Sequence, residues 1–230
     1  MELFVKSILN AFRSMRFMQL VVFSLAVLLL QAIFHQWPFM YLAISFMYLY
    51  ALLVALSVSG TSATGRFLLI VLWALSLVTR LFIPAGQEAL FFVLSKGMAV
   101  ALLVAVIFHI SHYIMTSHRV TVNALFAAVV IYLLITLLFA QLYSITNLLS
   151  PGSFSFPGDT AGMKGSLADI TFNYYSFVTI ATLGYGDIAP RYPIAQMLAS
   201  IEAVIGQFYV AIVVAWLVSL YTTDMRGTNG

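Results

Sequence analysis

The stretch Thr179-Ile180-Ala181-Thr182-Leu183-Gly184-Tyr185-Gly186-Asp187 decides how the rest of the chain is read. A threonine pair leads into a Gly-Tyr-Gly run with an aspartate behind it. Gly184 and Gly186 sit at alternate positions, where a backbone that switches between ordinary and left-handed conformations carries no Cβ penalty. The run closes an apolar-aromatic segment from Leu167 to Ala189, which is too short and too polar at its end to span a membrane. It reads as a re-entrant loop. Non-helical backbone at membrane depth is tolerated only where protein or water covers it.

Outward from this segment the chain is overwhelmingly apolar. Of its 230 residues 63% are hydrophobic and only 7% are charged, against roughly a quarter charged in soluble domains. The composition predicts a membrane protein. A spanning helix needs about 20 mostly apolar residues. Six stretches qualify: Phe17 to Phe34, Pro38 to Ser59, Arg66 to Pro84, Ala89 to Ile110, Val120 to Ile145 and Pro193 to Tyr221. His35-Gln36-Trp37-Pro38 reads as a tight turn and residues 59–65 as a small polar loop. A Ser/Gly/Pro-rich stretch from Leu149 to Gly165 precedes the re-entrant segment.

Lys and Arg in the short loops predict the orientation. With both termini in the cytoplasm, the inner side holds Lys6, Arg13, Arg16, Arg66, Arg119 and Arg226, and the outer side Arg80, Lys164 and Arg191. The expected location is therefore a cell membrane, plasma or inner, crossed several times. The re-entrant segment enters from outside. The net charge of +3 needs no nucleic-acid partner. With no cysteine there is no disulfide, thiolate metal site or cysteine nucleophile. No Asn-X-Ser/Thr site occurs, and the N-terminus carries no small-residue cleavage site of a removable leader.

The run from Thr179 to Asp187 matches T-x-x-T-x-G-Y-G-D, and the chain resembles the pore-loop potassium channels over the fifth stretch, the re-entrant segment and the last stretch. Taken with the six apolar stretches, the resemblance implies an all-α membrane protein, tetrameric, with six transmembrane helices and a pore helix and selectivity filter between helices five and six; it does not itself identify the first four helices. Residues 1–16, where apolar Leu3, Phe4, Ile8, Leu9 and Phe12 alternate with basic Lys6, Arg13 and Arg16, read as an interfacial segment or as a basic flank of helix one, 17–112 as a four-helix domain and 113–230 as the pore domain. A dehydrated potassium ion must exchange its water shell for several oxygens at once, and backbone carbonyls facing one axis supply them. By resemblance the carbonyls of Thr182, Leu183, Gly184 and Tyr185 bind K+, with Gly186 completing the run and the Thr182 hydroxyl adding oxygens at the inner end. Leu183 stands where Val or Ile is more usual. One loop per chain implies a homotetramer in contact with membrane lipids. The implied cofactor list is empty apart from permeant K+.

The resemblance also assigns supporting roles. Ile170 to Thr179 would be the pore helix, with Asp169 as its N-cap and the negative end of its dipole toward the cavity. Tyr174 and Tyr175 would form a cuff against Tyr185, and Tyr175 is expected to hydrogen-bond Asp187 behind the filter. Val178 stands where some relatives carry a Glu partner for that Asp, so this carboxylate pair is absent. Gly206 matches the position of a hinge glycine, its plain alternative being close helix packing. Gln207, Val210 and Val214 share one face and are expected to line the cavity, the valines as an apolar constriction. Glu202 is the one acidic residue expected within the last span. It is either a pH- or cation-sensing site or a structural hydrogen-bond partner of the pore helix or filter.

The first four stretches lack the repeated Arg and Lys of a voltage sensor, since the fourth holds only Lys96, and weak voltage dependence is expected. Lys96 is expected to snorkel outward or to pair with Glu88. His109 and His112, with His118 beyond, are either a metal or pH site or ordinary interfacial histidines. Other readings explain less. A four-repeat potassium transporter would carry more pore segments in its chain, and a non-selective channel would lack the Gly-Tyr-Gly run. An enzyme or haem protein built on His109, His112 and Glu202 has no specific ligand motif. A scaffold leaves residues 179–187 unexplained.

Overall fold

The computed structural model describes residues 15–34, 36–37, 40–58, 60–81, 88–116, 121–156 and 166–227, and the side chains of all of these except 88, 166, 214 and 217–227. Residues 1–14 of the expected interfacial segment, His118 and much of the Ser/Gly/Pro-rich stretch lie outside the described residues, and Arg16 of that segment already belongs to the first helix. Among the described residues the architecture is all-helical apart from one two-residue strand pair. In chain order the helices are α1 (Arg16–Ile33), α2 (Met40–Val58), α3 (Ala63–Leu81), α4 (Glu88–Thr116), α5 (Val122–Leu149), α6 (Ser166–Ile180) and α7 (Pro193–Gly227). Strand β1 (Phe154–Ser155) precedes α6 and β2 (Ala189–Pro190) follows it. They pair antiparallel, Phe154 with Pro190 and Ser155 with Ala189.

Six of these helices, α1 to α5 and α7, are long and apolar enough to cross a membrane. Helices suit such segments because all their backbone donors and acceptors are satisfied internally. Their ends are fixed by local chemistry. Thr121 caps α5, its side chain accepting from Ala124 N at 3.1 Å. Ser62 does the same for α3 through Gly65 N at 3.2 Å. Helix α4 runs past its expected end at Ile110 to Thr116. The backbone ladder continues through Ser111 to Thr116 beyond the apolar stretch, and Thr116 Oγ1 bonds the His112 carbonyl at 2.8 Å.

Helix α5 is the hub, packing against α1, α4, α6 and α7. The larger core lies between α1, α2, α4 and α5, around Phe17, Leu20, Met47, Leu52, Leu102, Ile110 and Leu137. A second, aromatic core joins α5, β1 and α6 through Tyr143, Phe154, Phe172 and Tyr175. Helix α3 packs on α2 and α4 from outside, and none of its residues is buried. Its ties are polar: Trp73 Nε1 donates to the Ser45 carbonyl at 2.8 Å and Ser95 Oγ to the Ser76 carbonyl at 3.2 Å.

Candidate functional site

The signature run begins in the last turn of α6 and leaves it at Ile180. The carbonyls of that turn hold the loop that follows. Thr179 O accepts from Thr182 N at 3.0 Å, and Val178 O accepts from Leu183 N at 2.9 Å and Gly184 N at 3.5 Å. Beyond the helix, φ is +57° at Thr182, +56° at Gly184 and +76° at Gly186. Every second residue is therefore left-handed. This alternation is the condition under which successive carbonyls can share one direction. The glycines announced it. Thr182 did not, because a Cβ in this region costs about 1–2 kcal/mol, and only the fixed loop around it holds the residue there.

The outer side of the loop is tied back to α6. Tyr174 donates its hydroxyl to Asp187 Oδ2 at 2.7 Å, and Asp187 Oδ1 accepts its neighbour Ile188 N at 3.0 Å. The expectation that Tyr175 makes this bond is corrected. Adjacent helix positions lie about 100° apart, so one of the two tyrosines faces the loop and the other turns inward. Tyr175 is the inward one, edge-on to Tyr143 at 4.9 Å and to Phe154 at 5.5 Å between ring centroids. Val178 is buried, and its contribution to the loop is its carbonyl. Leu183 and Tyr185 remain 56% and 66% exposed.

From α7, Gln207 Nε2 reaches Thr182 Oγ1 at 3.3 Å. Gly206 lies directly under the end of α6, where a Cβ would press on the Ile180 carbonyl oxygen and come within 2.7 Å of Ile180 Cγ1. This close approach gives the glycine a packing reason. Val210 is half exposed and borders an apolar groove of about 300 Å³ with Leu125, Val129, Tyr132, Tyr209 and Val213. The side chain of Val214 lies outside the described residues. Glu202 is fully buried. The Ser176 hydroxyl donates to its Oε1, and the Tyr143 hydroxyl to its Oε2 at 2.5 Å. Ser176 Oγ also lies 2.6 Å from the Thr136 carbonyl. The carboxylate thus joins α5, α6 and α7, as a structural partner of the short helix would.

The other end of α6 departs from expectation. Asp169 is not the N-cap, because α6 starts at Ser166 and Asp169 lies in its first turn. An acidic residue there still meets the positive end of the helix dipole. Its buried carboxylate receives the Arg80 guanidinium on Oδ2 and the Lys96 ammonium on Oδ1. Lys96 therefore does not snorkel outward, and the partner the structure gives it is Asp169; the side chain of Glu88 lies outside the described residues. Lys96 is buried and paired across 73 positions of sequence. His109 and His112 gain no common site among the described residues. His109 Nδ1 lies 2.7 Å from the Ala105 carbonyl of its own helix. Among the described residues no group of three or more His, Cys, Asp or Glu could hold a metal.

With this geometry in view, two likenesses to known proteins carry weight. The family described as "Ion channel" matches residues 119–223. The inward rectifier potassium channel Kirbac3.1 of Paramagnetospirillum magnetotacticum is 32% identical over 92 residues, 39% of this chain and 30% of that protein. The chain thus spans less than a third of that relative's length. No solved structure matches. Both likenesses are to channels and not to enzymes, and they support the resemblance to pore-loop potassium channels carried by residues 179–187.

Proposed function

We propose that this chain is a subunit of a potassium-selective channel that conducts K+ passively through residues Thr182 to Gly186. The observation that carries the proposal is the left-handed alternation at Thr182, Gly184 and Gly186, pinned to the end of α6 by the Val178 and Thr179 carbonyls. Rings of backbone carbonyls replace the hydration shell of a permeant cation. Helix α6 serves as the pore helix, its negative end toward the ion, and Asp187 and Tyr174 brace the filter from outside.

One chain offers one quarter of such a ring, so four copies assemble around a common axis. The exposure of Leu183 and Tyr185 supports this, since a neighbouring copy would cover an apolar and an aromatic side chain that otherwise stand open beside the filter. In this reading α1 to α5 and α7 cross the membrane, both termini face the cytoplasm, and Gln207 with Val210 and Val214 border the inner cavity. Gating depends weakly on voltage. Moving a charge across the membrane yields about 2.3 kcal/mol per 100 mV, and the lysine within α4, Lys96, is already bound to Asp169.

The test is the reversal potential of the purified protein in planar bilayers, with potassium on one side and sodium on the other. Reversal near the potassium equilibrium potential is expected. Robust current reversing near zero would overturn the reading.

A further inference from the structure

The four peripheral helices meet the candidate filter at a distance, through one buried charge cluster. The two oxygens of Asp169 are held from different elements, Oδ2 by Arg80 at the end of α3 and Oδ1 by Lys96 in α4. Lys96 Nζ also donates to Gln141 Oε1 of α5 at 3.3 Å, and Gln141 Nε2 to the Tyr48 hydroxyl of α2 at 3.3 Å. One turn along α6, Asn173 Nδ2 donates to Gln31 Oε1 of α1 at 3.2 Å. Side chains of α1, α3 and α4 thus bond the first two turns of α6 directly, with α5 and α2 joined behind Lys96 through Gln141 and Tyr48.

This cluster is a poor source of stability. Desolvating charges cancels most of what their attraction returns, and apolar residues of similar volume often do as well. One cation would already neutralise Asp169, and the second leaves the site with net positive charge. What two directed contacts on one carboxylate do supply is position, because each oxygen is fixed by a different helix. The opposite end of α6 hands its Val178 and Thr179 carbonyls to the amides of Thr182, Leu183 and Gly184. The helix between is a continuous hydrogen-bonded rod. A slide or rotation imposed at Asp169 is delivered to those amides.

We propose that Arg80 and Lys96 are positioning residues for ion selection: through Asp169 and α6 they set the geometry of residues 182–186, so that α3 and α4 act on the filter from behind. The inference deepens the channel reading above and rests on it. Any stimulus that shifts α3 or α4 then changes permeation without first moving α7.

The experiment uses the full chain, purified and reconstituted. Lys96→Met and Arg80→Gln each leave one neutral ion pair at Asp169. Two quantities are read: the potassium-to-sodium permeability ratio from the reversal potential, and the rise in melting temperature when potassium replaces sodium, which reports cation binding to the folded state. Each variant is expected to lower the ratio by at least about fivefold, the lower end of coupling between distant sites, and to shrink the potassium-specific rise. Lys96→Arg, which keeps the charge and alters only its reach, is expected to lower the ratio by a smaller factor than Lys96→Met. Folded variants with the parent ratio and the parent potassium-specific rise would overturn the proposal. Should either variant not be recovered folded, the double exchange Arg80→Lys with Lys96→Arg is read instead. It conserves both charges and alters only their reach, so a changed ratio supports positioning and an unchanged one refutes it. A parent protein with no potassium preference in either readout would overturn the channel reading itself, and the positioning role with it.

Discussion

At its C-terminal end α6 is fastened by backbone carbonyls and neutral hydroxyls, whereas at its N-terminal end it is fastened by two cations on one carboxylate. The backbone bonds and the Tyr174 bond that shape the loop at the first end span at most 13 residues of sequence, with Gln207 and Tyr132 adding contacts from 25 and 48 positions away. Those at the second are drawn from 73 and 89 positions away. The first kind of fastening is a local property of the run from Thr179 to Asp187. The second exists only once α3, α4 and α6 have packed. The loop therefore owes its shape to its own residues and its placement to the rest of the protein.

Substitutions at the two ends should separate these contributions. The largest effect is expected at the loop. Gly184→Ala places a Cβ at φ +56°, a strain of about 1–2 kcal/mol per copy, and the backbone can escape it only by abandoning the left-handed alternation. Potassium selectivity should be lost, with current near zero or reversing near zero in potassium against sodium. Retained selectivity would mean that the alternation is not what selects.

A change at the charged end should show in stability before permeation. Asp169→Asn strands Arg80 and Lys96 without their counter-ion, and breaking a buried pair from one side costs about 3–5 kcal/mol. The expected outcome is a sharp fall in the yield of folded protein and in its melting temperature. A variant as stable as the parent would show that water reaches the cluster.

The smallest effect separates two adjacent residues. Tyr174→Phe deletes the hydroxyl that Asp187 accepts, an exposed bond, while Tyr175→Phe leaves that bond in place. Current through the Tyr174 variant should decay faster under sustained activity, and through the Tyr175 variant at the parent rate. The reverse order would return Asp187 to Tyr175.

How far the sequence carried this picture follows the same division. The apolar stretches were legible because the membrane-length criterion is simple and each stretch is bounded by turn residues or charge. Their ends were not, as the extension of α4 to Thr116 shows, since hydropathy stops before helix propensity does. The loop was legible as far as its glycines and its aspartate. Thr182 escaped because nothing about threonine announces a left-handed backbone. The exchange of Tyr174 for Tyr175 came from helix phase: with the start of α6 fixed only to within a few residues, two adjacent tyrosines cannot be told apart. Asp169 was misplaced at the cap for the same reason. Its pairing with Arg80 and Lys96 was beyond reach, although three ionisable residues in or beside apolar segments were a sign that partners were needed.

Helix α3 has a consequence for how this protein can vary. None of its side chains is fully buried, and of its apolar residues Leu69, Leu72 and Trp73 are the ones packed against the core, so a change of shape at the others should be tolerated. Leu, Ile, Val and Phe should be interchangeable along most of its length. Drift should be arrested at Trp73 and Arg80, the two positions whose side chains reach another helix by hydrogen bond or charge. A library randomised over residues 66–81 and sorted for folded protein would thus return a helix held apolar by the membrane it crosses but free in the shape of most of its side chains, pinned at Trp73 and Arg80.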